Sequence, residues 1–272
     1  EQFSLINKVQ ADETRIKILK PDKKGYMWAY HSLDDDNRFI LFEYHHSRSG
    51  DIPSQRLANF TGRLQTDGYS GYNGLRTRED IINFGCWDHC RRKFMDVIKV
   101  CNKNKTGIAV KIFKLINKLY KIEKKIKSSA MEEREDVRKS EASPILTQIY
   151  AIADKANPPP KSLIGVALTY LQNNKNQLMA YIDHPEMPIS NILVENQVRP
   201  LALGRRNWLF SGNAESANNA ALLYSLIQTC RMNKIDPRKY LIYALDHANK
   251  MRRGEISPAA LLPQFIDNSL LL

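Results

Sequence analysis

Three of the 29 acidic residues stand on elements from which carboxylates can act together. Asp12 lies in a segment whose polar and apolar residues partly alternate, as in a half-buried strand, and its neighbour Glu13 faces the other side because side chains alternate along a strand. Asp67 closes the short strand-like run Leu64-Gln65-Thr66-Asp67-Gly68. Glu195 sits on a helix, with Asn191 and Arg199 one turn either side on the same face. If the two strands are neighbours and the helix crosses them, the three carboxylates converge. One or two Mg2+ or Mn2+ ions, hard cations that take oxygen ligands, relieve the repulsion within such a cluster. Two ions about 4 Å apart can activate a water or a 3′-hydroxyl and stabilise the leaving oxygen of a phosphodiester. Periodicity by itself does not single out these three, since an isolated Asp or Glu is most often a surface or capping residue.

Other groups carry chemistry of their own. Cys86, His89 and Cys90 have the flavour of a zinc site, but tetrahedral zinc needs four ligands. Neither a paired Cys-x-x-Cys nor a His pair accompanies them, and Cys101 falls at an irregular spacing. Arg91, Arg92, Lys93, Arg199, Arg205 and Arg206 are cations placed to meet phosphate, which arginine grips through two parallel hydrogen bonds. Trp208 and Phe210 suit core packing better than stacking on an unpaired base, and Tyr69 and Tyr72 read as structural. Between Lys99 and Lys127 stand ten lysines and one acid, Glu123. Ile108, Ile112, Leu115, Leu119, Ile122 and Ile126 form one apolar stripe of a helix there. Lys111, Lys114, Lys118, Lys121 and Lys125 each precede a stripe position by one residue, about 100° of helix, so they line one edge suited to a phosphate backbone.

The elements that would position these groups fall in two styles. Strand signals fill the first ninety residues: Val9 to Leu19, Gly25 to His31 and Arg38 to His46, with a turn at Asp34-Asp35-Asp36-Asn37. These predict an antiparallel meander. A helical stretch from Pro53 to Phe60 leads to the strand at Leu64, which should lie parallel to an earlier one, and Ile81 to Phe84 gives a fifth. From about Asp96 the pattern turns helical. After the lysine-rich helix, residues 128–143 read as a charged loop or solvated helix end. Ile145 to Asp154 and Ser162 to Tyr181 read as further helices around the stop Pro158-Pro159-Pro160. Ser190 can cap the helix carrying Glu195, which Pro200 bends or ends. Ala217 to Met232 is a helix with Ala221, Leu222, Ser225 and Leu226 near one face, and Asp236-Pro237 opens another. The expected organisation is a mixed-sheet α/β core in two parts, residues 1–95 and 188–235, an all-helical insertion over 96–187, and a helical extension over 236–272.

The 272 residues carry a net charge of +12, which favours a polyanionic partner, nucleic acid first. No window approaches eighteen uninterrupted apolar residues, which excludes a membrane-spanning helix. Four cysteines are too few for a disulfide scaffold, so a reducing cytosol is expected. The chain starts at Glu1 without a leader and reads as a piece of a longer protein.

Several blocks in order carry a resemblance: Ala11-Asp12-Glu13-Thr14, Ser47-Arg48-Ser49-Gly50, Leu64-Gln65-Thr66-Asp67-Gly68-Tyr69-Ser70-Gly71-Tyr72, and Gly85-Cys86-Trp87-Asp88-His89-Cys90-Arg91-Arg92-Lys93-Phe94. Val194-Glu195-Asn196, Arg199-Pro200-Leu201-Ala202-Leu203-Gly204-Arg205-Arg206-Asn207-Trp208-Leu209-Phe210 and the Asp236-Pro237 helix complete the set. Together they resemble the catalytic domain of the insertion sequence 66 family of bacterial DDE transposases. The resemblance implies an RNase H-like fold and selects Asp12, Asp67 and Glu195 as the catalytic, metal-binding triad for two Mg2+ or Mn2+ ions. It places Cys86 and His89 near the active site as support, beside Asn191 and Arg199. It implies double-stranded DNA as partner, both transposon ends and target, in the bacterial cytoplasm, and synapsis of two ends is compatible with a homodimer. The implied activity is phosphodiester hydrolysis at the ends followed by 3′-hydroxyl strand transfer. The alternatives are a nuclease without strand transfer and an inactive, transposon-derived DNA-binding protein. Two departures stand out: Gln10 where the family usually has His, and Ile189-Ser190-Asn191-Ile192 where it usually reads Ile-Asp-Asn-Asn.

Overall fold

The computed structural model describes residues 2–19, 24–101 and 107–270. Strands β1 (Lys8–Ile16), β2 (Gly25–Ser32) and β3 (Ile40–His45) come first, then helix α1 (Asp51–Arg56), strand β4 (Gly62–Gln65), helix α2 (Asn73–Arg76) and strand β5 (Ile81–Phe84). Helices follow: α3 (Trp87–Val100), α4 (Ile108–Lys125), α5 (Met131–Val137), α6 (Ser143–Asp154), α7 (Leu163–Asn173), α8 (Lys175–Met179), α9 (Ile192–Trp208), α10 (Ala214–Met232) and α11 (Pro237–Arg252). The five strands form one mixed sheet in the order β3-β2-β1-β4-β5, so the architecture is α/β, as expected. Two compact units divide the chain: residues 1–64, 70–81 and 193–272 in the first, 65–69 and 82–192 in the second.

In the first unit, β1, β2 and β3 make the expected antiparallel meander, with Asp12 opposite Ala29 and Ala29 opposite Phe42. Opposed residues share a face, so Asp12, Ala29 and Phe42 point the same way. That face buries Ile16, Met27, Ala29, Ile40 and Phe42 under Val194, Val198 and Leu201 of α9 and Ala217 and Ala221 of α10. Pro200 lies inside α9, and the helix continues to Trp208 instead of ending, because this apolar seam holds it on the sheet. Along β3, the outward amides of Ile40 and Phe42 donate to Thr229 Oγ1 (3.1 Å) and Ser225 Oγ (2.8 Å) of α10. The buried face of α10 thus runs through Ala217, Ala221, Ser225 and Thr229, and Leu222, expected near it, is 58% exposed. Asp236 caps α11 as anticipated, its carboxylate accepting from the amides of Arg238 and Lys239.

The second unit is mostly helical. Trp87, Cys90, Phe94 and Val97 form the buried face of α3, which packs on α4 and α7, while α4 packs on α6. The stripe of α4 differs slightly from expectation: Ala109 and Ile116 are buried and Ile108 is exposed. The single helix expected over 162–181 is broken at Asn174, whose side-chain amide donates to the Tyr170 carbonyl (2.8 Å) and competes with the helical ladder. Ser162 caps α7.

Residues 128–143 are largely exposed, as a solvated helix end would be, apart from Arg138 and Ala142. They form α5 and a π-helical turn, Arg138–Ala142, and the Arg138 side chain is fully buried. All five N–H groups of its guanidinium are used. Nε and Nη2 donate to the two carboxylate oxygens of Glu123 (2.9 and 2.8 Å), Nη1 to the carbonyls of Tyr181 (2.6 Å) and His184 (2.9 Å), and Nη2 also to Met187 O (3.0 Å).

Candidate active site

On β1 of the first unit, Asp12 and Glu13 have opposite fates. Glu13 is buried against Arg48, whose Nε donates to it at 2.8 Å, and accepts from the Tyr72 hydroxyl at 3.1 Å. That carboxylate is neutralised by its own unit. Asp12 turns to the face covered by α9, half-buried, with one oxygen accepting from the Glu13 amide (2.9 Å). Two residues before it, the fully buried Gln10 points the same way, and its Oε1 accepts from the Val194 amide at 2.9 Å. Val194 is the third residue of α9, so one of the orphan N–H groups of that helix end is satisfied from β1. Glu195 follows immediately, half-buried at the edge of the seam. The helix starts at Ile192, so Ser190 lies one residue too early for the cap expected of it, and a remote side chain supplies an acceptor in its place. Arg199 and Arg206 are exposed. Arg205 is half-buried, its Nη1 donating to the Arg15 carbonyl, and burial lowers its pKa without removing its charge.

In the second unit, Asp67 lies two residues beyond the end of β4, not on the strand, because the chain turns sharply there. Its Oδ1 accepts from the Tyr69 amide (2.8 Å) and Gly68 has φ +90°, a conformation only glycine adopts readily. Upstream, the buried Gln65 amide donates to the carbonyls of Gly85 (3.0 Å) and Pro188 (2.8 Å). Downstream, the Tyr170 hydroxyl of α7 donates to the Asp67 carbonyl at 2.6 Å, and a side chain at Gly68 would meet that ring. Lys93 sits over the same ring, 4.8 Å from its centroid. Sequence reading missed Tyr170 and Gln65. Each acts through the backbone around Asp67, a role with no periodicity or motif to betray it. Tyr170→Phe is expected to cost about 1 kcal/mol of stability for the lost hydrogen bond. Thermal melts of the variant check this, and an unchanged melting temperature counts against the role.

Also in this unit, Cys86 occupies the cap position of α3 and is buried, while His89, one turn on, is half-buried. Burial pushes the Cys90 thiol well up, away from thiolate chemistry. Arg91 pairs with Asp88 (2.7 Å) and lies over Tyr120, 4.4 Å from the ring centroid, and Arg92 is exposed. Asn191 is 0% exposed, and among the described residues neither end of its amide has a hydrogen-bond partner. A buried amide left so costs about 1–3 kcal/mol per group, which marks a position open to something bound. On α4, Lys111, Lys114, Lys118, Lys121 and Lys125 are all exposed. Lys125 is held by Glu141 at 2.7 Å, and among the described residues the other four make no ion pair. Lys103 and Lys105, part of the same lysine-rich stretch, lie outside the described residues.

The sheet thus carries an acid on its first strand, a second acid lies two residues past β4 and a third stands on α9. The profile of the family described as Transposase IS66 family matches residues 4–219, and the chain belongs to that family. It is similar to the uncharacterized proteins y4qI and y4jD of Sinorhizobium fredii (strain NBRC 101917 / NGR234). To y4qI it is 28% identical over 259 residues, covering 88% of this chain and 47% of that protein. To y4jD it is 29% identical over 258 residues, covering 88% and 50%. A shorter likeness, 43% over 37 residues, links 14% of the chain to 39% of the uncharacterized protein YuaK of Escherichia coli (strain K12). The chain therefore spans about half the length of the S. fredii relatives it matches. Among the described residues, no helix is long and apolar enough to cross a membrane.

Proposed function

We propose that the chain is the catalytic domain of a DDE DNA transposase built on an RNase H-like core, with the acids Asp12, Asp67 and Glu195 as its metal ligands. The observation that carries the reading is the Gln10–Val194 hydrogen bond, which ties the start of the Glu195 helix to the strand face bearing Asp12. Three carboxylates are hard oxygen donors and fit Mg2+ or Mn2+, and the orphaned Asn191 amide is consistent with a further bound group. When bound, two such ions supply a strong nucleophile and stabilise the leaving oxygen of a phosphodiester. The chain's own part is to orient. Gln10 fixes the helix that presents Glu195, and Tyr170 and Gln65 fix the backbone that presents Asp67. Cys86, His89, Asn191 and Arg199 support the site, and Arg91, Arg92, Lys93, Arg205 and Arg206 meet phosphates.

Hydrolysis at a transposon end frees a 3′-hydroxyl, which then attacks a target phosphodiester. The test is a reaction with Mg2+ or Mn2+ on DNA carrying the element's own ends, products resolved on denaturing gels. Joined products are expected. Cuts without joining would leave a nuclease, and tight DNA binding with neither would leave a DNA-binding remnant; both outcomes overturn the reading. For such an enzyme the setting is the cytoplasm, and the need to hold two ends together favours a homodimer.

The exposed lysines of α4 suit a phosphate backbone read without regard to sequence. Replacing Lys114, Lys118 and Lys121 together with Gln should weaken binding equally for any duplex. It should also make the slope of log affinity against log salt shallower by about three units, close to one per lost phosphate contact. An unchanged slope means that these lysines only face water.

A further inference from the structure

The first unit holds a second feature that the carboxylates do not use. Two cavities of about 420 and 310 Å3 share Arg15 and Arg205 in their walls. Lys17, Lys24 and Leu209 line the larger, and Glu13, Tyr26 and Arg48 the smaller. Glu13 is neutralised by Arg48, so the trench they form carries a clear excess of positive charge. At its rim the chain leaves α9 in a strained turn. Leu209 has φ +61°, a conformation that costs an ordinary side chain and is rare for leucine.

The strain is held in place. The Leu209 amide donates to Arg205 O (3.1 Å) and the Phe210 amide to Trp208 O (2.7 Å). Ser211 then bridges to Ile18, just beyond β1, through Ser211 N to Lys17 O (2.8 Å) and Leu19 N to Ser211 O (2.9 Å). The outcome is an exposed apolar point: Leu209 is 59% exposed, Phe210 44% and Leu19 54%. Phe210 is thus not the core residue its type suggested. Two large apolar side chains, each about half presented to solvent by a strained, pinned turn beside a cation-lined trench, are only partly used in packing their own unit. Outliers of this kind cluster where a ligand is gripped.

We propose that this trench and turn bind the unpaired strand at a DNA end, with Arg15, Lys17, Lys24 and Arg205 on its phosphates and Leu209 and Phe210 against an unstacked base. The inference rests on the reading of the chain as a DNA-processing enzyme. The charge suits a polyanion, and the apolar point gives a base somewhere to go that a double helix does not need. Apolar wedges flanked by Arg or Lys are how proteins hold DNA out of its regular stack.

Fluorescence anisotropy of the full chain without divalent metal tests it, so that cleavage plays no part. The probes are a labelled duplex with a single-stranded overhang and the same duplex with blunt ends. The wild type should bind the overhang duplex about tenfold tighter, the scale of one base resting on a side chain. Leu209→Gly suits the left-handed backbone, so its melting temperature should hold or rise while the preference falls to about twofold or less. Phe210→Ala should lose preference likewise, and both should bind the blunt duplex as the wild type does. A wild type indifferent to the overhang, or both variants keeping the full preference, overturns the proposal and leaves the transposase reading standing. A wild type that binds neither probe overturns both.

Discussion

Asp12→Asn, Asp67→Asn and Glu195→Gln should each lower DNA cleavage and joining by about a thousandfold or more. Each change removes one negative charge and keeps the shape, so the fold and the affinity for DNA should stay close to wild type. The magnitude follows from what ions held at the proposed site would supply. Stabilising a phosphodiester transition state by metal is worth several kcal/mol, and about 4 kcal/mol corresponds to three decades of rate. Glu13→Gln is the control on the same strand. Its carboxylate is tied to Arg48 and Tyr72 on the opposite face, so its loss should reduce stability more than chemistry. Single-turnover cleavage in Mg2+ and Mn2+, beside thermal melts, separates the two effects. Wild-type rates in the Asp67→Asn variant would remove the assignment.

Arg138→Met should destabilise the second unit by about 3–5 kcal/mol, the usual penalty for breaking a buried ion pair from one side. The loss has two parts. Glu123, only 12% exposed, is left charged without its partner, and the carbonyls of Tyr181, His184 and Met187 lose their donor. At a few degrees per kcal/mol for a chain of this size, the melting temperature should fall by about 10 °C. Calorimetry measures it, and hydrogen exchange should show the loss concentrated in residues 107–190. Glu123→Gln added to Arg138→Met should recover part of the stability by removing the stranded charge. A melting temperature within about one degree of wild type would show that the guanidinium is not the tie the geometry makes it.

Much of this was legible in the sequence, and the failures share a cause. β3 and α4 announced themselves because each buries one face, which writes its period into the chain, whereas β2 was legible from its aromatic run and is buried almost throughout. The Asp236 cap is chemistry between near neighbours and could be read directly. Arg138 could not. A charged residue among charged residues looks solvated, and only five acceptors brought from distant positions make its burial tolerable. The end of β4, the break at Asn174 and the roles of Gln65 and Tyr170 are likewise hydrogen bonds between residues far apart or backbone choices with no apolar signature. Gln10 reads in the sequence as a departure from the family pattern, and the structure gives that departure a use: its amide oxygen still reaches the helix that carries Glu195. Asp12 and Glu13 were told apart by strand alternation alone. Choosing Asp12, Asp67 and Glu195 among all the acids needed the resemblance, because a carboxylate facing a ligand and one facing water have the same sequence context.

The two hydroxyls of α10 have a consequence for how copies of this chain meet. A sheet that ends in a bare strand offers a row of free amides, a template on which a second chain can lay its own strand. Here β3 is the outermost strand on its side, and the amides of Ile40 and Phe42 are already engaged by Thr229 and Ser225, one helical turn apart. That spacing along a helix nearly matches the two-residue step along a strand. The helix stands in for the missing neighbour, and that stretch of β3 is closed to strand addition. Growth of the sheet into fibrils or misregistered aggregates is blocked along that stretch by two small side chains.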